Sequence, residues 1–492
     1  MGVPAEIRAM KPGRGYEVKQ KGRNYYVYEV LSKKLGSGAW GKRSGRCVGK
    51  IVPGEGFVPN ANWRGEGARD ESPTCLEYGQ YALVESLAAG ELALLKEHLG
   101  ADAATMVFAV ATIMYADGFE HADQVGPVFE QSWLPLEYAA FGLRMGRTAV
   151  SSLLDSLGRR AGPVRSYERA LVDACAEMAV DGHAIASHSE GNDLAEAGHR
   201  FPSLGDDQVN LLMGYDAATR APVFSHMYRG SAHDASCLAD ASALLEMRNV
   251  LLLADRGFYT EANMRLFSSN GNSFIMPVPS GRRAFKDAMA LVSSRGYSRE
   301  FQWRSGRRHT RVLWRQVRLG GGDRVIVFRD VEENERCRYN YQRCIDLGRA
   351  GYTAEGLAAQ AENFGVYVLR TSSSLGAPEV FDAYRRRWGI ETLFQYVKNV
   401  GGFTNLQVED YYKEQGMAFV MLVCGRIHAR VVAAVRSLGD STTSVRDALL
   451  MARRMKLVRR GGGWELSNTR RKDLEKLARM GFVPVRHVDA RG

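Results

Sequence analysis

The chain has 492 residues, of which 45% are hydrophobic and 25% are charged, and its formal net charge is +11 at pH 7. This composition excludes an intrinsically disordered chain and supplies apolar side chains for a large core and more than one domain. The excess of basic residues favours a polyanionic partner, although charge alone does not identify that partner.

Cysteine spacing and hydropathy indicate the compartment. The seven cysteines are scattered and lack the paired short spacing of a zinc site, which is typical of reduced thiols in a cytosolic protein. No signal-peptide pattern is visible at the amino terminus. The most apolar helical run that we identify, residues 103–115, is shorter than the ~20 residues needed to span a bilayer. We therefore expect a cytoplasmic protein without membrane contact.

The amino-terminal part of the chain predicts two regions. Residues 1–75 contain the strand-like runs NYYVYEV and GRCVGKIV, joined by a Gly/Ser/Lys-rich connection, with tyrosines between many basic residues. We predict a basic β-rich module that binds DNA, with a mobile solvated arm as the alternative. Residues 76–170 follow helical periodicity and predict a helical region for DNA contact or dimerisation, between which the pattern does not choose.

Two aspartates lie on predicted strands of an α/β core over residues 171–279. Asp181 sits among apolar neighbours in EMAVDGHAIAS, where a carboxylate is costly unless its charge is compensated. Asp255 ends the run NVLLLAD, which is typical of a strand buried on both faces, and should emerge at the carboxyl end of that strand. Taken singly, Asp181 could be a strand-edge acid and Asp255 a helix cap. We assign Asp216 to a turn and Asp234 to a helix start rather than to a metal site.

Three further regions complete the predicted organisation. Residues 280–364 are basic and contain alternating runs that predict a β-rich insertion into the core. The core resumes over residues 365–430. Residues 431–492 contain RRMKLVRR and TRRKDLEKLAR, basic helical patterns suited to DNA or a second protomer, with a solvated helix as an equal alternative.

Residues 381–402 predict one helix with two different faces. Its apolar face contains Ile390, Leu393, Phe394 and Val397. A separate polar stripe, roughly 80° wide, contains Tyr384, Arg387, Glu391, Gln395 and Lys398. A carboxylate beside an arginine, a lysine and a phenol can hold a metal ion next to a phosphate backbone. The alternative is a solvated flank on which Arg387 and Glu391 form an ordinary surface pair.

The spacing of Tyr384, Arg387, Glu391 and Lys398 resembles the Tyr-Arg-Glu-Lys signature of bacterial insertion-sequence transposases of the DDE type. The run ADRGFYT around Asp255 is similar to the neighbourhood of the second aspartate in those transposases, and YYVYEV, CVGKI and FVPN look like their opening segment. The resemblance implies an α/β fold with an RNase H-like mixed-sheet catalytic core, interrupted by the β-rich insertion.

The resemblance also implies the roles of the site residues. Asp181 would bridge two Mg²⁺ ions, with Mn²⁺ as a substitute, while Asp255 and Glu391 each hold one of them. Arg387 and Lys398 would contact phosphates of the transposon end. Tyr384 would donate to a phosphate oxygen or orient Glu391. His183, on the same strand face as Asp181, is expected beside the ligands and not among them, because histidine suits zinc better than magnesium.

In related transposases the insertion holds a flipped base against an aromatic ring. The candidates for that contact are Trp303 and Trp314, with burial in the insertion core as the alternative.

The implied function is cut-and-paste transposition of DNA in a prokaryotic, nucleoid-associated setting. The enzyme would bind the inverted terminal repeats of double-stranded DNA, expose a 3′ hydroxyl and join it to target DNA, acting as a homodimer because two ends are paired. Hairpin ends are a secondary inference. The alternatives are an RNase H-like nuclease without strand transfer and a domesticated DNA-binding protein without catalysis.

Overall fold

The computed structural model describes residues 3–34, 40–60, 63, 75–118, 124–187, 191–198, 207–306, 308–318, 323–399, 410–440, 442–460, 463–467 and 469–489. The chain divides into two compact units, Met1–Pro73 and Thr74–Gly492. Each unit has a hydrophobic core of its own.

The first unit is a short helix and an antiparallel meander of four strands in the order β1-β2-β3-β4. Its elements are α1 (Ala5–Ala9), β1 (Tyr16–Lys21), β2 (Asn24–Lys34), β3 (Trp40–Val52) and β4 (Gly56–Pro59). One sheet face packs on a small core of Ile7, Val27, Val48 and Ile51. On the other face, strand pairing places Tyr26 between Lys19 and Lys50, and the ammonium groups of Lys19 and Lys21 lie over the ring of Tyr28.

A strand and seven helices open the second unit. They are β5 (Cys75–Glu77), α2 (Gly79–Leu87), α3 (Ala89–Leu99), α4 (Ala101–Asp117), α5 (Val125–Gln131), α6 (Leu134–Glu137), α7 (Arg147–Arg159) and α8 (Ala161–Asp173). Helix α4 is rich in Ala, Val and Ile on every side and is buried along most of its length. Helix α7 is amphipathic, because Val150, Leu153, Leu154 and Leu157 follow helical spacing and are buried.

The next segment builds the centre of a ten-stranded mixed sheet. Its elements are β6 (Glu177–Ser187), β7 (Glu196–Ala197), β8 (Asp207–Asp216), β9 (Ala221–Arg229), α9 (Asp234–Leu244), β10 (Leu251–Ala254), α10 (Glu261–Phe267) and β11 (Ser273–Pro277). Strands β6, β10 and β11 are parallel, β8 runs antiparallel to β6, and β9 pairs antiparallel with β8. All four residues of β10 are buried, as the uninterrupted apolar run predicted. The fold class is therefore mixed α/β.

The predicted β-rich insertion is only partly made of strands. It consists of α11 (Arg283–Arg295), β12 (Arg299–Ser305), β13 (Arg308–Arg318), β14 (Arg324–Asp330), α12 (Val331–Asp346) and α13 (Ala354–Gln360), followed by β15 (Val366–Thr371). Helix α12 begins where the carboxylate of Asp330 accepts a hydrogen bond from the amide of Glu333. The strands do not form a separate sheet, since β14 pairs with β15 and the full order is β12-β13-β14-β15-β11-β10-β6-β8-β7, with β9 beside β8.

The remaining elements of the second unit are α14 (Ala377–Arg386), α15 (Trp388–Asn399), α16 (Tyr411–Ser437), α17 (Val445–Arg453), β16 (Lys456–Arg460), β17 (Gly463–Leu466), α18 (Arg471–Arg479) and β18 (His487–Asp489). The carboxyl-terminal region that we expected to be helical also contains strands. The KLVRR part of RRMKLVRR is β16. It pairs with β5, the first element of the second unit in the sequence. A local pattern cannot reveal a pairing partner so distant in the sequence.

Helix α16 is longer than the apolar run at residues 103–115, which lies in α4, and it contains charged residues that the run lacks. By length and composition it is the one helix in the described residues that could cross a membrane, and its most apolar window is 67% buried inside the protein. It packs between α7, α4 and β9. Gly425 has no side chain where a Cβ atom would lie 2.7 Å from Pro222 of β9, which permits this close approach. Internal packing accounts for the apolar composition of α16.

Candidate active site

Asp181 and Asp255 are neighbours across two parallel strands. Strands β6 and β10 pair so that Ala254 lies opposite Val180. Asp181 follows Val180, and Asp255 follows Ala254. Residues in register on adjacent strands share a sheet face about 4.8 Å apart. Strand β10 ends at Ala254, and Asp255 begins a tight turn, as predicted for a carboxyl-end position.

The helix predicted over residues 381–402 is two helices that meet at Arg387. The amide of Arg387 donates to the carbonyl of Tyr384 at 3.2 Å, and the amide of Ile390 donates to the carbonyl of Arg387 at 3.0 Å. This three-residue spacing is tighter than in an α-helix and marks a break between α14 and α15. Residues 400–402 and the side chains of Val397 and Lys398 lie outside the described part of the chain.

Of the described residues in the polar stripe, only the first two are buried. Tyr384 is 7% exposed and Arg387 5% exposed, because α14 packs Tyr384 against Tyr367 of β15, whereas Glu391 is partly exposed and Gln395 is exposed. The predicted apolar face is buried at Ile390, Leu393 and Phe394. The apolar face and the start of the polar stripe therefore contact protein.

Two contacts hold α15 against the sheet. The ring of Phe394 lies 5.1 Å from the ring of His183 on β6. A Cβ atom at Gly389 would lie 2.5 Å from the hydroxyl oxygen of Tyr215 on β8, so that only glycine permits this approach. Glu391 lies between these two contacts in the sequence. His183 thus supports the helix that carries Glu391.

Arg387 joins the acids through one nitrogen atom. Its Nη2 lies 3.1 Å from Glu391 Oε1 and 3.9 Å from Asp255 Oδ1. Burial lowers the pKa of the Arg387 guanidinium, but Tyr384 and then Asp255, Glu391 and Asp181 raise it by more. All three predicted acids are therefore within electrostatic reach of one buried cation.

Tyr384 completes this group. The guanidinium carbon of Arg387 lies 5.6 Å from the centre of the Tyr384 ring. Burial raises the pKa of the Tyr384 phenol, and Arg387 opposes that rise. The buried Nε of Arg387 has no hydrogen-bond acceptor among the described residues, which leaves one donor for a further oxygen.

The carboxylate oxygens of the three acids suit a hard divalent cation, but their positions limit how many of them can bind the same ion. In the residues that the structure describes, no three His, Cys, Asp or Glu side chains are close enough to surround one metal ion. Mg²⁺ retains several waters and is commonly held by one or two carboxylates. The three acids around Arg387 therefore fit ions held by pairs of carboxylates, and they do not form a ready-made cage of three.

The two predicted stacking residues differ in their surroundings. Trp303 is 8% exposed, its Nε1 donates to Asp382 at 2.9 Å, and the guanidinium of Arg385 lies 5.1 Å from its ring. These contacts favour the structural alternative for Trp303. Trp314 is half-buried, with Arg299 5.8 Å from its ring.

Sequence reasoning missed Trp388, the first residue of α15. It is 54% exposed and, with Gly389 and Thr392 of the same helix, lines a groove of about 820 Å³. The arginines that line this groove are Arg220, Arg308, Arg336, Arg385, Arg386 and Arg436. The signal available in the sequence was a tryptophan next to the polar stripe. The helical pattern assigned it to neither the apolar face nor the polar stripe.

The two acids rejected as ligands have structural roles. The carboxylate of Asp216 accepts hydrogen bonds from the amide of Ala218 at 2.8 Å and the hydroxyl of Thr219 at 2.6 Å. Asp234 is the first residue of α9 and accepts a hydrogen bond from the side chain of Asn210 at 2.9 Å. Both predictions are confirmed.

Comparison with known proteins gives one family match. Residues 177–424 match the model described as "Transposase DDE domain", and the matched region contains Asp181, Asp255 and Glu391. The chain is also similar to piggyBac transposase in a cryo-EM structure of its synaptic complex with hairpin DNA. That similarity has 12% sequence identity and a TM-score of 0.38, and it covers 76% of each chain. No curated protein matches the chain.

Proposed function

This chain belongs to the transposase DDE-domain family, and we propose that it moves a bacterial insertion sequence by cutting and joining DNA. As a DNA transposase it acts on the DNA of a mobile element. In our proposal it works in the cytoplasm on the nucleoid, binds the inverted terminal repeats and transfers the cleaved 3′ end to target DNA. The observation that carries this proposal is the approach of Asp181, Asp255 and Glu391 to one buried arginine.

The topology around the acids supports an RNase H-like core. Parallel strands β6, β10 and β11, with an antiparallel hairpin of β8 and β9 beside β6, form the centre of the sheet; Asp181 lies in β6 and Asp255 directly follows β10. Helix α15 brings Glu391 to the same place from much later in the sequence. We propose residues 171–279 and 365–430 as this core and residues 280–364 as its insertion.

DDE transposases generally use divalent metal ions. We propose that Asp181, Asp255 and Glu391 hold two Mg²⁺ ions, for which Mn²⁺ can substitute. When bound, such ions activate the attacking oxygen and stabilise the leaving oxygen at the scissile phosphate.

Arg387 has two tasks in this proposal. Its positive charge offsets the repulsion between Glu391 and Asp255. Its unpaired Nε is the donor proposed for a phosphate oxygen of the transposon end. The ring of Tyr384 packs against the guanidinium of Arg387 and fixes its position. Lys398 is proposed as a second phosphate contact.

The DNA has further contacts on both units. The Lys19, Lys21, Lys50 and Tyr28 face of the first unit combines cations with an aromatic ring, which suits a DNA backbone, and supports DNA binding by residues 1–75. Trp388 and Trp314 offer aromatic surface to an unpaired base if hairpin ends form. The helical region, residues 76–170, and the carboxyl-terminal region, residues 431–492, are proposed for pairing two protomers on two ends.

Strand transfer with pre-cleaved ends tests the proposal. Purified protein, Mg²⁺, end duplexes with a free 3′ hydroxyl and a plasmid target should give joined products. Asp181→Asn, Asp255→Asn and Glu391→Gln should each abolish joining and retain end binding. A nuclease would cut without joining, and a domesticated binding protein would bind ends equally well with or without Mg²⁺ and never nick them. Either result would overturn the proposal.

A further inference from the structure

We propose that Arg220 and Arg436 bind a backbone phosphate of the DNA strand that passes the acids. The inference rests on the proposed function, because it takes DNA as the ligand. The two side chains line one part of the groove beside α15, Arg220 from the turn between β8 and β9 and Arg436 from the last turn of α16.

Two of the six arginines that line the groove are neutralised by carboxylates. Arg386 pairs with Glu177 and Asp382, and Arg336 pairs with Glu333. No carboxylate in the described part of the chain pairs with the guanidinium of Arg220, Arg308, Arg385 or Arg436, and Arg385 donates instead to the hydroxyl of Tyr367 at 2.6 Å. The groove therefore carries an excess of positive charge, to which Arg220 and Arg436 contribute.

The two arginines affect each other. Burial lowers the pKa of the Arg436 guanidinium, and the positive charge of Arg220 lowers it further. His428, which also lines the groove, stays neutral, because burial and Arg436 lower its pKa to about 4. Two like charges held together are unfavourable in the free protein, and an anion between them would reverse that cost.

The backbone holds Arg220 in this place. Arg220 has a φ of 59°, in the left-handed region that side chains other than glycine rarely adopt. Its amide donates to the carbonyl of Asp216 at 2.8 Å, and the carboxylate of Asp216 fixes the same turn. The turn therefore fixes the position from which the Arg220 side chain enters the groove.

The position of the groove indicates that its ligand is a DNA strand. Trp388, Gly389 and Thr392 of α15 line it, and Glu391 lies on the adjoining flank of the same helix. A strand whose scissile phosphate lies at the acids can therefore continue along α15 into the groove. A guanidinium fork matches the geometry of a phosphate, and two of them match a polyanion better than a neutral ligand.

The test uses the full-length double variant R220N/R436Q. Asparagine tolerates the left-handed conformation at position 220, so the turn is preserved. The ligand is a terminal-repeat duplex, and its dissociation constant is measured over a range of salt concentrations. Loss of one phosphate contact should reduce the slope of log affinity against log salt by about 0.9. The matched control R248Q/R265Q removes two exposed charges at positions without a proposed role in DNA or protomer contact and should keep the wild-type slope.

A second binding experiment identifies which DNA phosphate contacts Arg220 and Arg436. Duplexes that carry one uncharged methylphosphonate at successive positions should reveal a position that weakens binding of the wild-type protein and has no effect on R220N/R436Q. The variant should unfold at the same or a higher temperature than the wild type, since a like-charge contact is removed. A lower unfolding temperature would assign the pair to folding and overturn the inference.

The outcomes separate this inference from the proposed function. If the wild-type protein joins ends while R220N/R436Q keeps the wild-type slope, the phosphate site is wrong and the transposase proposal stands. If inorganic phosphate protects the pair from arginine-specific modification but the duplex does not, the site binds free phosphate and the inference is also wrong. If the wild-type protein neither binds nor joins DNA, the proposed function itself fails.

Discussion

The guanidinium of Arg387 lies 3.1 Å from the carboxylate of Glu391, one helical turn later in the sequence, and the same nitrogen lies 3.9 Å from Asp255. One buried cation thus serves two acids from different elements, the end of β10 and the first turn of α15. Because the cation offsets their repulsion, the acids are held near each other before any metal ion binds.

Removing this cation should make stability depend on metal ions. In Arg387→Gln the two carboxylates lose their counter-ion, and we expect a loss of about 1–2 kcal/mol, discounted for the partial exposure of Glu391. Magnesium should restore part of that loss by supplying positive charge. Urea unfolding with and without Mg²⁺ measures this effect, with the exposed Arg283→Gln as control. An equal loss in both conditions would contradict the role of Arg387.

Gly389 should control the position of Glu391. In Gly389→Ala the new Cβ atom would lie 2.5 Å from the hydroxyl oxygen of Tyr215, so α15 must shift, at a cost of about 1–3 kcal/mol. Strand transfer should fall more than stability does, and a smaller side chain in Tyr215→Leu should restore part of it. Gly90 in α3 is the matched control, because a Cβ atom there meets nothing within 4 Å. Gly90→Ala should be neutral or slightly stabilising, and an equal effect of both substitutions would refute the steric argument.

Glu91 should be essential for the stability of the second unit. This buried carboxylate of α3 accepts hydrogen bonds from Arg426 at 2.6 Å and from Arg430 at 2.7 Å, both on α16. Glu91→Gln leaves the buried Arg426 without a counter-ion, and we expect a loss of about 3–5 kcal/mol in urea unfolding. The exposed pair of Arg471 and Glu475 is the comparison, and Glu475→Gln should change stability by less than about 0.5 kcal/mol. Similar losses in the two variants would be inconsistent with a buried ion pair.

His226 should make stability fall at alkaline pH. Its Nε2 lies 2.9 Å from the buried carboxylate of Glu168. Burial lowers the pKa of His226, but Glu168 raises it by more, so the folded value lies above the ordinary value of 6.5. The protonated histidine therefore stabilises the fold below pH 6.5, and that contribution is lost as the pH rises through the folded pKa. His226→Gln should remove this decline from the profile of unfolding free energy against pH, and an unchanged profile would exclude His226 as its source.

The sequence was sufficient for features that depend on local pattern. Asp255 could be placed at a strand end because the apolar run before it is typical of a buried strand, and its place near Asp181 follows from the parallel register of the residues before them. The fixed spacing of Tyr384, Arg387 and Glu391 brought these residues together on one side of a helical segment.

Other features depend on contacts that no local pattern contains. Helical periodicity left open whether the polar stripe is a site or a solvated flank, and the burial of Tyr384 depends on Tyr367 of β15. One glycine, Gly389, follows the break at Arg387, and a single glycine does not predict a break; β16 acquires its strand character by pairing with β5. Trp388 became a candidate only when its exposure was known.

Anomalous diffraction from crystals grown with Mn²⁺ shows whether Asp181, Asp255 and Glu391 together hold divalent metal ions. We expect anomalous density between these three carboxylates in the wild-type protein, and its loss in Asp181→Asn. Manganese bound elsewhere, or carboxylates that remain on Arg387 with no ion beside them at saturating Mn²⁺, would show that the three acids are not the metal site.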